Sequence, residues 1–274
     1  MPGAYNALTA RLAFRSGAKA AYLSGGAMAN ALLGAPDIGL TTLDEVAGVA
    51  ARACQAAPIP MIADGDTGFG EVWNVRRTVI EFERAGLAGL HLEDQVSPKR
   101  CGHLDGKALI TQDAMEEKIR AAVAARRDDS FVIIARTDAR GVEGLDGSVE
   151  RARAYLAAGA DAIFPEGMAD AGEFKAFRDA VPGAPLLANM TEFGKTPLIS
   201  AQEFGALGYQ MVIFPVSALR VTLKAVEEFY AHLLATGSQD GFLERMMTRK
   251  ELYELVGYAE YEQGDAAWRS LADR

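Results

Sequence analysis

The chain of 274 residues is half hydrophobic and 24 % charged, a balance that is typical of a soluble globular enzyme and unlike that of a disordered or fibrous protein. Its net charge of −9 argues against nucleic acid as the main partner, because a phosphate backbone requires a basic protein face. No apolar run approaches the roughly 18 residues of a membrane span and no secretory signal is evident, so we expect no membrane partner. The two cysteines, Cys54 and Cys101, are expected to stay reduced, which predicts a cytoplasmic location.

Short apolar runs alternate with helical patterns along the chain. Seven runs read as strands buried on both faces, namely 20–23, 59–63, 87–95, 131–139, 161–167, 185–192 and 209–217. Segment 2–7, which a helix-like stretch follows, supplies a truncated eighth strand. Helical patterns lie at 72–86, 111–127, 148–159 and 217–237. The predicted N-caps are Thr42 or Asp44, Thr111 and Ser148, and the predicted C-terminal stops are Gly86, Gly159 and Gly237.

This alternation predicts a parallel sheet with right-handed crossovers. A closed (β/α)₈ barrel and a doubly wound open sheet both satisfy it. We favour the barrel, because polar residues follow nearly every strand and only a barrel brings all of those strand ends to one face. We expect a single α/β domain over 1–274, short at its N-terminus, with a helical extension from about 238 that contains an amphipathic helix at 248–263.

Polar residues gather where the predicted strands end. With the glycines of the SGG turn, they are Ser24, Gly25, Gly26, Asp64, Asp66, Glu93, Asp94, Arg136, Thr137, Asp138, Glu166, Asn189, Thr191 and Arg220. Crowded carboxylates need a compensating cation, and their hard oxygen atoms suit Mg²⁺ or Mn²⁺. Arginines beside them suit a substrate with carboxylate groups, which a guanidinium holds through two hydrogen bonds.

Each of these motifs also has a structural interpretation. The DGDTGFG segment at 64–70 is either a glycine-rich turn with solvated aspartates or a metal site, and the carboxylates on neighbouring strand ends favour the metal site. The SGG segment at 24–26 is either a plain tight turn or a nest of backbone N–H groups for an anion. Tyr22 is either a core residue or a catalytic one, and His91 is either a hydrogen-bonded core histidine or a residue that orients a ligand.

The hexapeptide PKRCGH places a cysteine among cations. Lys99 and Arg100 favour the thiolate form of Cys101, and Gly102 lets the loop move. His103 is placed to steady either the thiol or a substrate carboxylate. A cysteine above the mouth of a barrel can give or take a proton once its loop closes. The alternative is a surface loop with an incidental cysteine.

These motifs together resemble one enzyme superfamily. In chain order they are LSGG, DGDTGFG, LHLEDQ, PKRCGH, ARTDA, FPE, NMTEFGKTP and TRKELYE. The chain is similar over nearly its whole length to the isocitrate lyase/phosphoenolpyruvate mutase superfamily, and most similar to its methylisocitrate lyases. The resemblance implies a (β/α)₈ barrel that exchanges a C-terminal helix between the subunits of a homotetramer. It further implies Mg²⁺-dependent cleavage of a small carboxylate substrate, 2-methylisocitrate, into pyruvate and succinate.

The resemblance also implies a role for individual residues. Asp64 and Asp66 are expected to hold the metal, with Glu93 in support. The substrate is expected to contact Ser24, Gly25, Gly26, Asp37, Gly102, Arg136, Glu166, Asn189, Thr191, Arg220 and Arg249. Cys101, with Gly102 and His103, is expected to protonate the departing succinate carbanion. Tyr22 or a metal-bound group is the candidate base.

Three other functions remain open at this stage. The first is a lyase for 2,3-dimethylmalate or another 2-hydroxy-dicarboxylate. The second is a non-catalytic barrel that binds a carboxylate or a phosphate, and the third is a phosphonate-forming mutase, in which a thiol acid would have no role. Members of the superfamily usually carry a helix before the PGA motif, whereas this sequence begins at Met1, so we expect a short first strand and a weak barrel seam.

Overall fold

A computed structural model of the chain describes residues 1–100, 106–194 and 196–272, which form two compact units, Met1–Leu219 and Arg220–Arg274. In the first unit, the described residues contain eight strands: β1 (Gly3–Ala4), β2 (Ala21–Leu23), β3 (Met61–Asp64), β4 (Gly89–Glu93), β5 (Val132–Thr137), β6 (Ala162–Pro165), β7 (Leu187–Asn189) and β8 (Met211–Ile213). Each strand pairs in parallel with the next from β1 to β6, and β7 pairs in parallel with β8.

Two parallel bridges close this sheet into a ring. Ile163 of β6 bridges to Leu186 beside β7, and Pro2 bridges to Phe214 after β8. The predicted (β/α)₈ barrel is therefore confirmed, and the open sheet is excluded because it would leave two free edges.

The seam between β1 and β8 is short, as the sequence predicts. Strand β1 is only two residues long. Gly3 N donates to Phe214 O at 3.0 Å, and Phe214 N donates to Met1 O at 3.1 Å. A Cβ atom on Gly3 would lie 2.2 Å from Pro215 O, so the seam needs glycine at this position.

Helices follow the strands. The described helices are α1 (Ala7–Arg15), α2 (Gly25–Leu33), α3 (Leu43–Ala56), α4 (Val72–Arg84), α5 (Gln112–Ala125), α6 (Arg140–Ala157), α7 (Ala171–Ala180), α8 (Ala201–Ala206), α9 (Ser217–Thr236), α10 (Arg249–Val256) and α11 (Tyr258–Ala272). The N-caps Thr42 and Thr111 are confirmed, since the side chain of each accepts a backbone N–H three residues on. Gly86, Gly159 and Gly237 all have a positive φ angle, as C-terminal stops require.

Two helix predictions are wrong, and a glycine explains each. Ser148 is not an N-cap but is buried inside a helix, because the range Arg140–Ala157 contains two helical segments that meet at a kink at Gly144 (φ 78°), and the second segment already includes Ser148. The predicted helix at 248–263 is two helices, because Gly257 at φ 72° ends α10 in the left-handed conformation. These helices belong to the second unit.

The interior of the barrel explains where the polar residues lie. Its apolar layer consists of Tyr22, Ile62, Ile134, Ala162, Phe164, Leu187 and Ile213. Side chains on one face of a strand recur every second residue. The residues two positions later on these strands therefore form the next layer toward the carboxyl ends. A larger apolar cluster fills the space between the strands and the surrounding helices.

In the part of the chain that the structure describes, no helix is both long enough and apolar enough to cross a bilayer.

Candidate active site

The layer above the apolar interior is a ring of polar side chains. Its members are Ser24, Asp64, Glu93, Arg136, Glu166 and Asn189, each of which comes two residues after Tyr22, Ile62, His91, Ile134, Phe164 or Leu187. Ser24, Asp64, Glu93, Arg136 and Glu166 are buried, and Asn189 is partly buried. The structure thus brings together at one end of the barrel six of the residues that the sequence predicts for the site.

Arg136 is the cation of this ring. Its Nε lies 2.9 Å from Asp138 Oδ2 and 3.4 Å from Glu93 Oε2, and its Nη2 lies 3.8 Å from Glu166 Oε2. The guanidinium carbon lies 5.1 Å from the centre of the Phe164 ring. Burial alone would lower the pKa of Arg136, but Asp138 and Glu93 outweigh it and raise that pKa well above its usual value. Arg136 is therefore held charged and in place beneath the mouth of the barrel.

A second cation, Lys99, lies among the predicted metal carboxylates. Its Nζ is 2.5 Å from Asp66 Oδ1 and 2.8 Å from Asp37 Oδ1. Asp66 has a φ of 46°, and its backbone N–H donates to Asp64 Oδ1 at 2.9 Å, so the turn brings the two aspartates together. Burial raises the pKa of Asp66 to about 6, although the Lys99 ammonium opposes this. The cluster thus gathers negative charge that one buried ammonium only partly offsets.

Glu93 offers the clearest indication of a cation site. Its side chain is fully buried, and within residues 1–100, 106–194 and 196–272 neither carboxyl oxygen receives a hydrogen bond. Burial raises the pKa of Glu93 well above its usual range, with Arg136 and Lys99 opposing the shift. Buried carboxylate oxygens that receive no hydrogen bond, beside two further aspartates, suit a hard divalent cation. Among the described residues, however, no three His, Cys, Asp or Glu side chains already stand in metal-binding geometry.

Tyr22 and His91 lie at the floor of the ring. Tyr22 Oη is 2.8 Å from His91 Nε2 and 3.5 Å from Asp64 Oδ2. Burial raises the pKa of Tyr22 well above its ordinary value, so its hydroxyl is neutral at pH 7. Burial also lowers the pKa of His91 to about 4, which keeps the imidazole neutral. Of the two interpretations of His91, the geometry therefore favours the residue that orients its neighbours.

The SGG segment is the start of a helix, not an isolated turn. Ser24 is the N-cap of α2, and its Oγ accepts from Ala27 N at 3.2 Å. The N–H groups of Gly25 and Gly26 therefore lie in the first turn, where no helical carbonyl can pair with them. A Cβ on Gly25 would lie 2.6 Å from Asp64 Oδ2, and one on Gly26 would lie 2.9 Å from Asp37 Oδ2. At Gly25 the added Cβ would displace the buried Asp64 side chain, so this position needs glycine.

A supporting network lies behind Arg136: the sequence places Asp94 and Asp138 at the strand ends, but it does not indicate their partners Lys107 and Tyr155. Asp138 bonds Arg136 and also accepts from Lys107 Nζ at 2.8 Å. The backbone N–H of Asp138 donates to Asp94 Oδ1 at 2.9 Å, and Tyr155 Oη donates to Asp94 Oδ2 at 2.8 Å. The Arg136–Asp138 pair was detectable, because residues two apart on a strand share a face. Lys107 and Tyr155 are far from Asp138 and Asp94 in the sequence, so no local sequence pattern indicates these contacts.

The remaining predicted residues lie in three places. Asn189 Nδ2 donates to Glu166 Oε2 at 3.1 Å, and Thr191 is buried in the loop after β7. Arg220 and Arg249 are exposed residues of α9 and α10 in the second unit. Cys101, Gly102 and His103 lie outside the described residues. The roles expected of all these residues stay predictions.

Comparison with protein families identifies the chain. The family model of phosphoenolpyruvate phosphomutase matches residues 1–234. The chain belongs to the phosphoenolpyruvate mutase/isocitrate lyase superfamily. The resemblance that its motifs indicated is therefore confirmed.

Relatives within the superfamily are similar over nearly their whole length. The chain is 52 % identical over 265 residues to a probable 2-methylisocitrate lyase of Corynebacterium glutamicum, with 97 % of this chain and 87 % of the relative covered. It is also 52 % identical over 265 residues to a 2-methylisocitrate lyase of Aeropyrum pernix, with 97 % and 85 % covered.

Solved structures of the superfamily share the fold at lower identity. Oxaloacetate acetylhydrolase with the inhibitor 3,3-difluorooxalacetate superposes with a TM-score of 0.93 at 37 % identity, and covers 97 % of this chain and 90 % of that one. A 2,3-dimethylmalate lyase gives a TM-score of 0.92 at 39 % identity, with 97 % and 89 % covered. A phosphonopyruvate hydrolase in complex with oxalate and Mg²⁺ gives 0.84 at 31 % identity, with 100 % and 92 % covered.

Proposed function

We propose that this chain is a carbon–carbon lyase that cleaves 2-methylisocitrate into pyruvate and succinate. The observation that carries the proposal is the 52 % identity to 2-methylisocitrate lyases over 97 % of the chain. The solved enzymes whose names give other substrates stand lower, at 37 % and 39 % identity. The ring of carboxylates around one buried arginine supports a small substrate that carries several carboxylate groups.

Asp64, Asp66 and Glu93 would hold a divalent cation, and Mg²⁺ fits them better than a softer metal because all of their donors are carboxylate oxygens. Mn²⁺ would satisfy the same donors. A relative in complex with oxalate and Mg²⁺ supports this assignment. When bound, the ion would supply positive charge for the oxygens of the substrate. Lys99 Nζ lies 2.5 Å from Asp66 Oδ1, so a side chain of the protein already supplies one positive charge beside the proposed metal site.

The first task of the protein is to orient the substrate. Arg136 would hold the carboxylate of the half that becomes pyruvate, together with the N–H groups of Gly25 and Gly26 at the start of α2. Glu166, Asn189 and Thr191 would contact its remaining oxygens. Arg220 and Arg249 are proposed for the same role in the assembled enzyme.

The second task is to move two protons. The hydroxyl of the substrate loses its proton, the C–C bond breaks, and its electron pair moves to the carbon that becomes part of succinate. The candidate base is Tyr22 or a metal-bound group. Because the Tyr22 hydroxyl is neutral, it would take this proton only by passing its own to His91 Nε2, 2.8 Å away. Cys101 would then protonate the carbanion, with Gly102 and His103 in its loop. Asp37 fixes Lys99 beside this centre.

We also propose that the protein is cytoplasmic and works as a homotetramer whose subunits exchange their C-terminal helices. The second unit supports an exchange of this kind, because Leu252, Tyr253, Tyr258 and Tyr261 expose apolar surface on α10 and α11. A single (β/α)₈ domain over 1–274 with a helical extension remains the proposed organisation.

Proton NMR of the purified protein with Mg²⁺ tests the activity. 2-Methylisocitrate, isocitrate and 2,3-dimethylmalate are supplied separately, and we expect pyruvate and succinate to form fastest from 2-methylisocitrate and to stop forming when EDTA is added. The structural similarity to 2,3-dimethylmalate lyase favours that activity as the second candidate. If only 2,3-dimethylmalate were cleaved, to pyruvate and propionate, the proposed reaction would be right but the proposed substrate would be wrong. The Cys101→Ser variant should bind substrate without turnover, whereas a binding protein would be unaffected.

A further inference from the structure

The loop that carries Asp66 has an unusual backbone. Four of its residues have positive φ: Asp66 at 46°, Gly68 at 93°, Phe69 at 56° and Gly70 at 140°. Two of these are not glycine, and such residues adopt this conformation only where the surroundings impose it. The position of the Asp66 carboxylate depends on this backbone, so whatever holds the loop also sets the geometry of the carboxylate cluster.

Neighbouring backbone groups and one threonine hold part of the loop. Gly68 N donates to Gly65 O at 2.8 Å, and Glu93 N donates to Asp66 O at 3.0 Å. Thr78 Oγ1 donates to Gly68 O at 3.1 Å. These bonds leave the carbonyl groups of Thr67 and Gly70, on either side of the glycine turn, to find donors elsewhere.

The ammonium group of Lys118, on helix α5, donates to both of these carbonyl groups. The side chain is buried, and its Nζ donates to Thr67 O at 2.9 Å and to Gly70 O at 3.0 Å. Among the described residues, no carboxylate lies within ion-pair distance of this ammonium; burial lowers the pKa of Lys118, and the more distant Glu71 opposes the shift. A buried cation without a carboxylate partner is costly, and two carbonyl oxygens are its compensation. A lysine that bridges two points of one loop restricts their separation.

We propose that Lys118 is a positioning residue for the cation site: by clamping the carbonyl groups of Thr67 and Gly70, it holds Asp66 in the conformation that presents its carboxylate to a divalent ion. The proposal rests on the cation site proposed above but not on the identity of the substrate. Lys118 touches neither the ion nor the substrate, so its effect reaches the site only through the loop.

The test compares three variants by binding of Mn²⁺, followed by its electron paramagnetic resonance signal in the absence of substrate. Lys118→Met keeps most of the unbranched apolar side chain and removes the donors, and we expect about 10- to 100-fold weaker binding, as for the loss of other residues that orient metal ligands. Lys118→Arg keeps donors at the same position and should bind within a few-fold of the wild type. Arg120→Met is the matched control on α5, because Arg120 is exposed and pairs only with Glu116 among the described residues.

Amide hydrogen exchange supplies a readout without metal. Loop residues 65–70 should exchange faster in Lys118→Met than in Arg120→Met, while the strands keep their protection. Unchanged Mn²⁺ binding and unchanged loop exchange in a folded Lys118→Met would overturn the proposal, as would an equal loss of binding in Lys118→Arg. If the wild type binds Mn²⁺ but does not cleave 2-methylisocitrate, the substrate assignment fails and the role of Lys118 stands.

Discussion

Replacing Lys99 with methionine should lower the free energy of unfolding by about 3–5 kcal/mol in EDTA, the usual cost of removing one partner from a buried ion pair. The Nζ atom lies 2.5 Å from Asp66 Oδ1 and 2.8 Å from Asp37 Oδ1, and the Lys99 side chain is 4 % exposed. At an effective dielectric of about 20, a contact of this length is worth roughly 6 kcal/mol before the cost of desolvation is subtracted. The Asp37 side chain is 27 % exposed and can regain water, so most of the loss falls on Asp66.

Protonation of Asp66 sets an upper limit to this loss. Burial already raises the pKa of Asp66 to about 6, and without Lys99 the carboxylate would take up a proton instead of staying charged and unpaired. The difference in the free energy of unfolding between the wild type and Lys99→Met should therefore become smaller as the pH falls toward 5. A divalent ion at the same oxygens should have a similar effect, so millimolar Mg²⁺ should stabilise Lys99→Met more than the wild type.

Urea denaturation at a fixed protein concentration measures these differences. Lys224→Met is the matched control, because Lys224 pairs with Glu227 at 2.7 Å while 68 % of its side chain is exposed, and an ion pair so open to solvent adds little to stability. A Lys99→Met protein as stable in EDTA as Lys224→Met would refute the argument that the carboxylate cluster depends on this ammonium.

Three further predictions concern the surrounding network. Asp138→Asn should destabilise the protein by about 3–5 kcal/mol near neutral pH, because Arg136 loses its closest carboxylate partner. Burial tends to raise the pKa of Asp138, but Arg136 and Lys107 outweigh it and lower that pKa below its usual value, so the wild type loses this advantage only as the pH falls below about 4 and the two stabilities should converge there. Tyr155→Phe should cost about 1–3 kcal/mol by urea denaturation, since buried Asp94 loses a hydrogen bond of 2.8 Å; a smaller loss would mean that water replaces the hydroxyl. Burial raises the pKa of the Cys54 thiol, so a variant that lacks the other cysteine should react with Ellman's reagent at pH 8 more slowly than the unfolded chain, and equal rates would contradict that burial.

The barrel and most of the ring were predictable because both depend on local patterns. A buried parallel strand is apolar nearly throughout, and the first polar residue on its inward face marks where the interior ends. Ser24, Asp64, Arg136 and Glu166 satisfy this rule, since each comes two residues after a side chain of the apolar layer below. Glu93 is the exception, because it follows the buried His91 on the same face. Their convergence then follows from closure of the barrel.

The parts that the sequence analysis missed depend on backbone breaks or on long-range contacts. Gly144 and Gly257 change the direction of the chain inside segments whose apolar periodicity continues, so the helix boundaries around them were wrong. Ser24-Gly25-Gly26 was interpreted as a turn because the helix it starts contains few polar residues.

The place of Lys99 in the site was also not predictable from local sequence. Its place beside Cys101 predicts that it tunes a thiol, and that prediction stays open because Cys101 lies outside the described residues. Its contact with Asp66 joins segments more than thirty residues apart, which no local pattern reports.

The most direct test of the central claim is a competition in one tube. Equal concentrations of 2-methylisocitrate and 2,3-dimethylmalate are supplied with Mg²⁺, and proton NMR follows succinate and propionate, which arise from one substrate each. The ratio of their initial rates equals the ratio of the two kcat/KM values. We expect succinate to form faster than propionate and both reactions to stop in EDTA. Propionate in excess, or no product from either substrate, would contradict it.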